Sequence, residues 1–258
     1  MGAGHAHALY VHEHSPVHRL PPEVKIAAAF TFVACVAVTP REAVWAFAIH
    51  AVALAGVVRL ARVPVRFLLT RMVVVVPFLG VAVLLPFVAV GDRIEVVGIP
   101  LAVEGLWGAW NVVAKAGLGA ATSLTLAATT EVPLLLRGLE RLRVPSVLTQ
   151  IAAFMVRYLE VVVGEVQRQR IAMTARGYDP RWLWQVRPIA TSAGALFIRS
   201  YERGERVHAA MLARGYAGAM PPPLDEPRTT TRQRLLAATL PLVGLVTTTA
   251  AMLWSRGP

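Results

Sequence analysis

The sequence predicts an all-α, polytopic membrane protein with about five transmembrane helices and a cytoplasmic domain of long helices. Three observations carry that expectation. The chain is 56% hydrophobic and only 16% charged over 258 residues, with a mean hydropathy of +0.56; a soluble domain has about 25% charged residues. The apolar residues gather into runs near the length a bilayer requires. The net charge of +11 is concentrated in alternate connections between those runs.

Residues 1–23 form a histidine-rich arm that ends in "HRLPPEVK", a turn with two prolines. The first apolar run begins only at about Ile26, behind Glu13 and Glu23 rather than a positively charged leader, so it reads as a retained helix and not a cleaved signal. Four transmembrane helices are expected over residues 24–130. The first covers 26–38 and is extended by Val24 and a snorkelling Lys25. The second, 43–58, follows the tight turn "TPRE". The third, 72–90, has expected kinks at Pro77 and Pro86. The fourth, 106–130, is interrupted only by Lys115. A fifth span at 235–254 lies in the closing segment, 231–258. The first two are the shortest.

The arginines orient the chain. On one side the connections "TPRE" and "GDRIEVVGIP" and the tail "SRGP" hold only Arg41, Arg93 and Arg256. The other side receives Arg59, Arg62, Arg66, Arg71 and everything from Arg137 to Arg234. This is the positive-inside bias, which places the N-terminus and the long insert in the cytoplasm. The basic charge is thereby a topology signal rather than a nucleic-acid interface.

The insert, 131–230, is too long for an unstructured connection. "PLLLRGLERLR" is a short amphipathic helix with Leu135, Leu139 and Leu142 on one side. Pro145 ends it, and Ser146 is the expected N-cap of the next helix. From there no proline intervenes before Arg176, so one helix on the order of 45 Å is allowed. Its first half is apolar with Arg157 and Glu160 embedded; its second half is charged. Another long helix fits 184–214, with Pro188 tolerated in its first turns and Glu202 supporting Arg206 one turn on.

Each long helix ends on the same string, "MTARGY" at Met173 to Tyr178 and "MLARGY" at Met211 to Tyr216. Glycine just past a helix end enters the left-handed conformation without penalty, and arginine in the last turn suits the helix dipole. Capping accounts for the glycines and tolerates the arginines, but leaves the recurrence of Met, Ala and Tyr unexplained. The strings therefore read as two equivalent prongs, Ala175, Arg176, Gly177 and Ala213, Arg214, Gly215. Each presents a planar guanidinium to a carboxylate in a partner's pocket. Two matching prongs point to a partner with two similar subunits.

No phosphate-binding loop is present: neither Lys25 nor Lys115 follows a glycine or precedes Ser or Thr. The zinc-protease, serine-hydrolase and dinucleotide motifs are also missing. A membrane chain with prongs and no nucleotide site points to a separate ATPase and to a non-catalytic role. His5, His7, His12 and His14, followed by His18, have spacings that can chelate a transition metal. With no rigid framework, they read as weak candidates on a flexible polar arm. His50 reads as a hydrogen-bonded core residue and His208 as part of a charged face. Lys115, with Asn111 one turn earlier, is either a structural polar contact or a group facing a partner subunit. Cys35 is a small packing residue. Two other classes compete. A membrane metalloenzyme would use the histidine arm, but only Glu104, Lys115 and His50 are available at depth. A stand-alone channel or carrier would leave the insert without a role.

Together, "RSYERGERVHAAMLARGY", "RYLEVVVGEVQRQRIAMTARGY" and "SPVHRLPPEVK" carry a resemblance. From about Ser15 to its C-terminus the chain resembles the transmembrane T component of energy-coupling-factor (ECF) transporters, in the form of the cobalt-transport CbiQ family. The resemblance implies a membrane scaffold whose coupling helices cross in the cytoplasm, in the bacterial inner membrane. It implies that the Ala-Arg-Gly ends dock in two copies of a cytoplasmic ABC ATPase, which binds ATP and Mg. Arg176 and Arg214 would be the docking arginines. The cobalt ion would be bound by a separate membrane subunit, helped by a small accessory membrane protein, with no cofactor in this chain. Apolar faces carrying Ile151, Phe154, Met155, Tyr158, Ala190 and Phe197 would support that subunit. The nearest alternative is a T component serving nickel or a vitamin. The first 14 residues lie outside the resemblance.

Overall fold

A computed structural model describes residues 10–13, 15–96, 99–178, 186–218 and 230–256. In chain order the helices are α1 (Pro22–Val38), α2 (Val44–Leu60), α3 (Val65–Arg71), α4 (Val76–Val88), α5 (Val103–Thr129), α6 (Val132–Arg141), α7 (Ser146–Ala175), α8 (Arg187–Ala213) and α9 (Thr231–Arg256). The chain separates into two compact units. One is Leu9–Leu142 with Pro227–Pro258; the other is built on Arg143–Glu226.

The first unit is an apolar bundle. Among the described residues four helices are long and apolar enough to cross a membrane: Val65–Val88, Val103–Thr129, Ser146–Ala175 and Gln233–Ser255. Three are the expected third, fourth and fifth spans. The remaining one is α7 of the insert, whose apolar first half meets the criterion although Arg157 and Glu160 lie within it. Helices α1 and α2 have 17 residues each, roughly 25 Å at 1.5 Å per residue, short of the ~30 Å hydrocarbon core. The third span begins at Val65, earlier than the expected start at Met72, and is broken by a 3-10 turn at Met72–Val75. That turn sits just ahead of Pro77, which has no N–H and whose ring displaces the carbonyl four residues back. Pro86 remains inside α4. There α4 and α5 touch backbone to backbone: a Cβ on Gly105 would stand 2.5 Å from the Leu85 carbonyl oxygen. Between them "GDRIEVVGIP" is more than a connection. It forms an antiparallel hairpin of β1 (Arg93–Val96) and β2 (Ile99–Ala102), with Arg93 opposite Ala102.

The two lysines of the chain explain how α1 and α5 are held together. Lys25 Nζ, near the start of α1, donates to the Thr129 carbonyl at the end of α5 at 2.8 Å. Lys115 Nζ, midway along α5, donates to the Ala37 carbonyl at the end of α1 at 2.7 Å. Each helix thus supplies a cation to the C-terminal carbonyls of the other, where orphan acceptors and the negative dipole end coincide. Of the two readings of Lys115, this contact is the structural one.

A second group of buried polar side chains lies between α1, α2 and α9. His50 is fully buried, with Phe32 and Phe47 edge-on to its ring. Thr247 Oγ1 donates to the Val243 carbonyl and lies 2.9 Å from His50 Nε2, which therefore donates to it. Thr39 and Thr248 both donate to the Cys35 carbonyl. His50 and the buried Cys35 take the packing roles expected of them.

The arm does not hang free from Tyr10 onward. Val11 N–H donates to the Ala128 carbonyl at 3.0 Å, and Ser15 and Val17 are buried. The Val11 carbonyl can only accept, so the His18 Nε2 beside it at 3.1 Å carries the proton. Nδ1, 2.7 Å from Ser15 Oγ, then accepts. Chain segments that close a helix end are fixed by such hydrogen bonds, which composition does not reveal.

Two outcomes are expected. Lys115→Met keeps the aliphatic stem but orphans the Ala37 carbonyl; it should cost about 1–3 kcal/mol, read as a lowered Tm of the purified protein in detergent. Burial, with the charge of Lys25, pushes the His18 pKa below its ordinary value despite the Val11 carbonyl. The unfolded chain then binds the extra proton first. Stability should fall as pH drops below about 6.5, and a Tm series from pH 8 to 5 should be flatter in His18→Asn.

Candidate functional site

The candidate site lies in the second unit, on α7 and α8. These helices run antiparallel along their length, and three contacts set the register. Ser192 Oγ donates to Met173 Sδ at 3.7 Å near the end of α7. Arg199 donates to Glu165 in the middle. Tyr216, just past the end of α8, donates to Gln150 Oε1 at 2.6 Å in the first turns of α7. Each step along one helix is matched by a nearly equal step back along the other. The Ala-Arg-Gly ends therefore sit at opposite ends of the pair, on the order of 35 Å apart at 1.5 Å per residue.

Two boundaries differ from the sequence expectation. Ser146 is the first residue inside α7 and not its N-cap: Pro145 occupies the cap and no side chain bonds the open N–H groups. The proline ring fixes the entry dihedral, so the helix starts without a hydroxyl cap. Thr149 Oγ1 turns back to the Ser146 carbonyl instead. Helix α8 begins at Arg187, with Pro188 in its first turn; the expected start at Trp184 lies outside the described residues.

The two tips are built alike. After α7, Gly177 N–H donates to the Thr174 carbonyl and Tyr178 N–H to that of Met173. After α8, Gly215 N–H donates to the Leu212 carbonyl and Tyr216 N–H to that of Met211. Gly177 and Gly215 have φ of +77° and +83°, the left-handed value this closure needs. No atom lies within 4 Å of where a Cβ would stand on either, so the dihedral and not crowding requires glycine.

This geometry changes the account of the repeat. In a helix end of this type an apolar contact joins the residue after the glycine to the one five positions before it. Those positions are Tyr178 with Met173 and Tyr216 with Met211, all half-buried. Capping thus accounts for the Met and Tyr that it seemed to leave unexplained. What remains over is Ala175, Arg176, Ala213 and Arg214, all exposed. Three other arginines of this unit are paired: Arg168 and Arg199 with Glu165, Arg206 with Glu202 at 3.8 Å as expected. Among the described residues neither Arg176 nor Arg214 makes an ion pair. Beside the first tip a cavity of about 410 Å³ opens between the helices, lined in part by Arg170, Met173, Tyr178, Ser192 and Leu196.

The expected apolar faces are present. Ile151, Met155 and Phe197 are 52%, 68% and 70% exposed, and Ala190 is exposed too. Phe154 and Tyr158 are half-buried and stacked at 6.4 Å. Sequence reasoning did not find Gln150 or the Glu165–Arg199 tie; a lone carboxylate among arginines at 165–170 was the available signal. His208 is exposed. His5, His7 and His14 lie outside the described residues. His12 packs its ring edge against Tyr10, and no group of three or more metal-binding side chains occurs among the described residues.

An apolar unit with helices long enough to cross a membrane, and a second unit with twin exposed tips, define a multi-pass membrane component. Residues 13–223 match the family model CbiQ, cobalt transport protein, and the chain belongs to that family, the membrane components of ECF transporters. It is 35% identical over 163 residues to the cobalt transport protein CbiQ of Rhodobacter capsulatus, covering 62% of this chain and 64% of that protein. The match thus spans under two thirds of that relative's length. It is 27% identical over 227 residues to the energy-coupling factor transporter transmembrane protein EcfT of Bacillus selenitireducens, covering 81% and 82%. Against EcfT of Bacillus subtilis it is 28% identical over 223 residues, covering 81% and 83%.

An L-residue in the left-handed region costs roughly 1–2 kcal/mol. Gly177→Ala and Gly215→Ala should each loosen their own tip. Hydrogen exchange at Tyr178 or Tyr216 should quicken about tenfold, with the Tm of the apolar bundle unchanged.

Proposed function

We propose that this chain is the coupling subunit of an ECF-type importer of cobalt ions, lying in the bacterial inner membrane with its N-terminus and the α7–α8 unit in the cytoplasm. One observation supports this most: two congruent glycine-capped tips hold Arg176 and Arg214 exposed at opposite ends of one antiparallel helix pair. In this reading Arg176 enters an acidic groove of one ATPase copy and Arg214 the equivalent groove of the second. Ala175, Gly177, Ala213 and Gly215 keep the tips slim enough to enter. ATP and Mg belong to the ATPases, and the cobalt ion is cargo held by a separate substrate-binding membrane subunit, aided by a small accessory protein.

Mechanically, ATP binding draws the two ATPases together and hydrolysis releases them. Tips seated one in each copy are driven relative to each other, and α7 and α8 carry that motion as levers. Their apolar faces, carrying Ile151, Phe154, Met155, Tyr158, Ala190 and Phe197, bear on the substrate-binding subunit. Cobalt is favoured over nickel or a vitamin by the form of "RSYERGERVHAAMLARGY" and by the name of the Rhodobacter relative.

Reversing the charge of a seated arginine should cost 2–5 kcal/mol of binding, at least ~tenfold in affinity. Arg176→Glu and Arg214→Glu should each reduce co-purification of the ATPase, and the double variant should abolish it together with cobalt uptake. An intact complex with wild-type uptake in the double variant would sink the docking role. Uptake of nickel or a vitamin but not cobalt by the wild type would reassign the cargo alone.

A further inference from the structure

We propose that the apolar bundle holds one anionic phospholipid at its arginine-rich end, with Lys25 as the counter-charge to the headgroup phosphate. A cavity of about 160 Å³ opens there. It lies where α1 and α9 begin and α2 and α5 end, and it contains Lys25 together with Leu54, Leu60, Thr125, Leu236 and Leu240 among its lining residues.

Three features single out this ligand. First, Lys25 is 7% exposed, and among the described residues its ammonium meets one acceptor, the neutral Thr129 carbonyl. Three N–H donors and a full charge are served by one oxygen, whereas buried charges are ordinarily paired. The nearby carboxylate of its own helix, Glu23, is held by Arg141 at 3.1 Å. Second, the wall is mostly hydrocarbon, with threonines interspersed. Leu54 is buried, whereas Leu60 and Leu236 are half exposed at 54% and 50%, so the cavity leads outward along side chains that suit an acyl chain. Third, three exposed arginines stand beside the opening. Arg19 adjoins the lining residue Leu20, Arg59 adjoins Leu60, and Arg234 lies two before Leu236; all three are exposed. Gln233 Nε2 donates to the Arg19 carbonyl at 3.5 Å, which draws the start of α9 to the turn before α1 beside this opening. A buried cation, an apolar wall and a basic rim together match a single amphiphile, an acyl chain bearing a phosphate. A zwitterionic headgroup would bring its own cation into the same rim.

The test is native mass spectrometry of the full, delipidated chain in detergent. Phosphatidylglycerol and phosphatidylcholine of identical acyl chains are titrated in competition, with inorganic phosphate as a separate arm. The expected result is one retained phosphatidylglycerol, preferred at least fivefold, with the preference falling to near one in Lys25→Gln. Because that variant also loses the Thr129 contact and can fail to fold, Ala28→Phe is measured beside it. It fills the cavity, leaves Lys25 in place, and should weaken phosphatidylglycerol retention at least fivefold. Equal retention of the two lipids by the wild type would overturn the proposal, as would undiminished retention by Ala28→Phe. So would inorganic phosphate competing as well as the lipid, which would assign the anion to solution and not to the bilayer.

Discussion

The bundle depends on two lysines that serve each other's helices. Inside a bilayer a carbonyl at a helix end has no water to bond, and each one left open costs several kcal/mol. Helices α1 and α5 meet that requirement by exchange: Lys25 reaches the end of α5 and Lys115 the end of α1. The two bonds lie roughly three turns apart on each helix, so together they fix direction and register. Neighbouring contacts follow from that frame. Val11 takes the Ala128 carbonyl beside Thr129, which fastens the chain before α1. A Cβ on Gly138 would stand 2.8 Å from Ile26 Cδ1, so α6 packs close to the start of α1. Thr39 and Thr248 close the far end at Cys35.

The unit of α7 and α8 follows a different economy. It buries little and is tied at three places, near each end and at Glu165. Long helices with few lateral ties are suited to motion, because low local packing allows displacement without breaking a core. Their ends are nonetheless well ordered by local bonds. A two-bond glycine closure holds each tip without using the arginine side chain. Within "MTARGY" and "MLARGY" the Gly closes the helix end, Met and Tyr are half-buried, and Ala and Arg are exposed.

Much of this was legible in the residues. The run of α5, the unbroken α7 and the glycine ends of α7 and α8 follow from hydropathy, the absence of proline and the demands of a left-handed residue, all local in sequence. His50 and Cys35 could be placed in the core because each lies in an apolar run. Less legible was the hairpin at 93–102, whose four-residue strands are too short for alternation to register and include Pro100. The break at 72–75 was misplaced because a proline's effect falls on the turn before it. The packed arm after Tyr10 was missed because histidine-rich composition looks the same whether or not its ring nitrogens are already engaged.

The sequence by itself determined where the helices lie, which connections carry the arginines, and that two nearly identical glycine ends close two different helices. These depend on interactions within a few residues, and a chain reports them directly. Only the tertiary structure decided which polar group meets which. Lys25 finds its carbonyl 104 residues away and Lys115 finds its own 78 away, and Tyr216 meets Gln150 across 66. Such pairings are set by how whole helices pack, because a cation in an apolar run specifies that an acceptor is needed and not which helix end provides it.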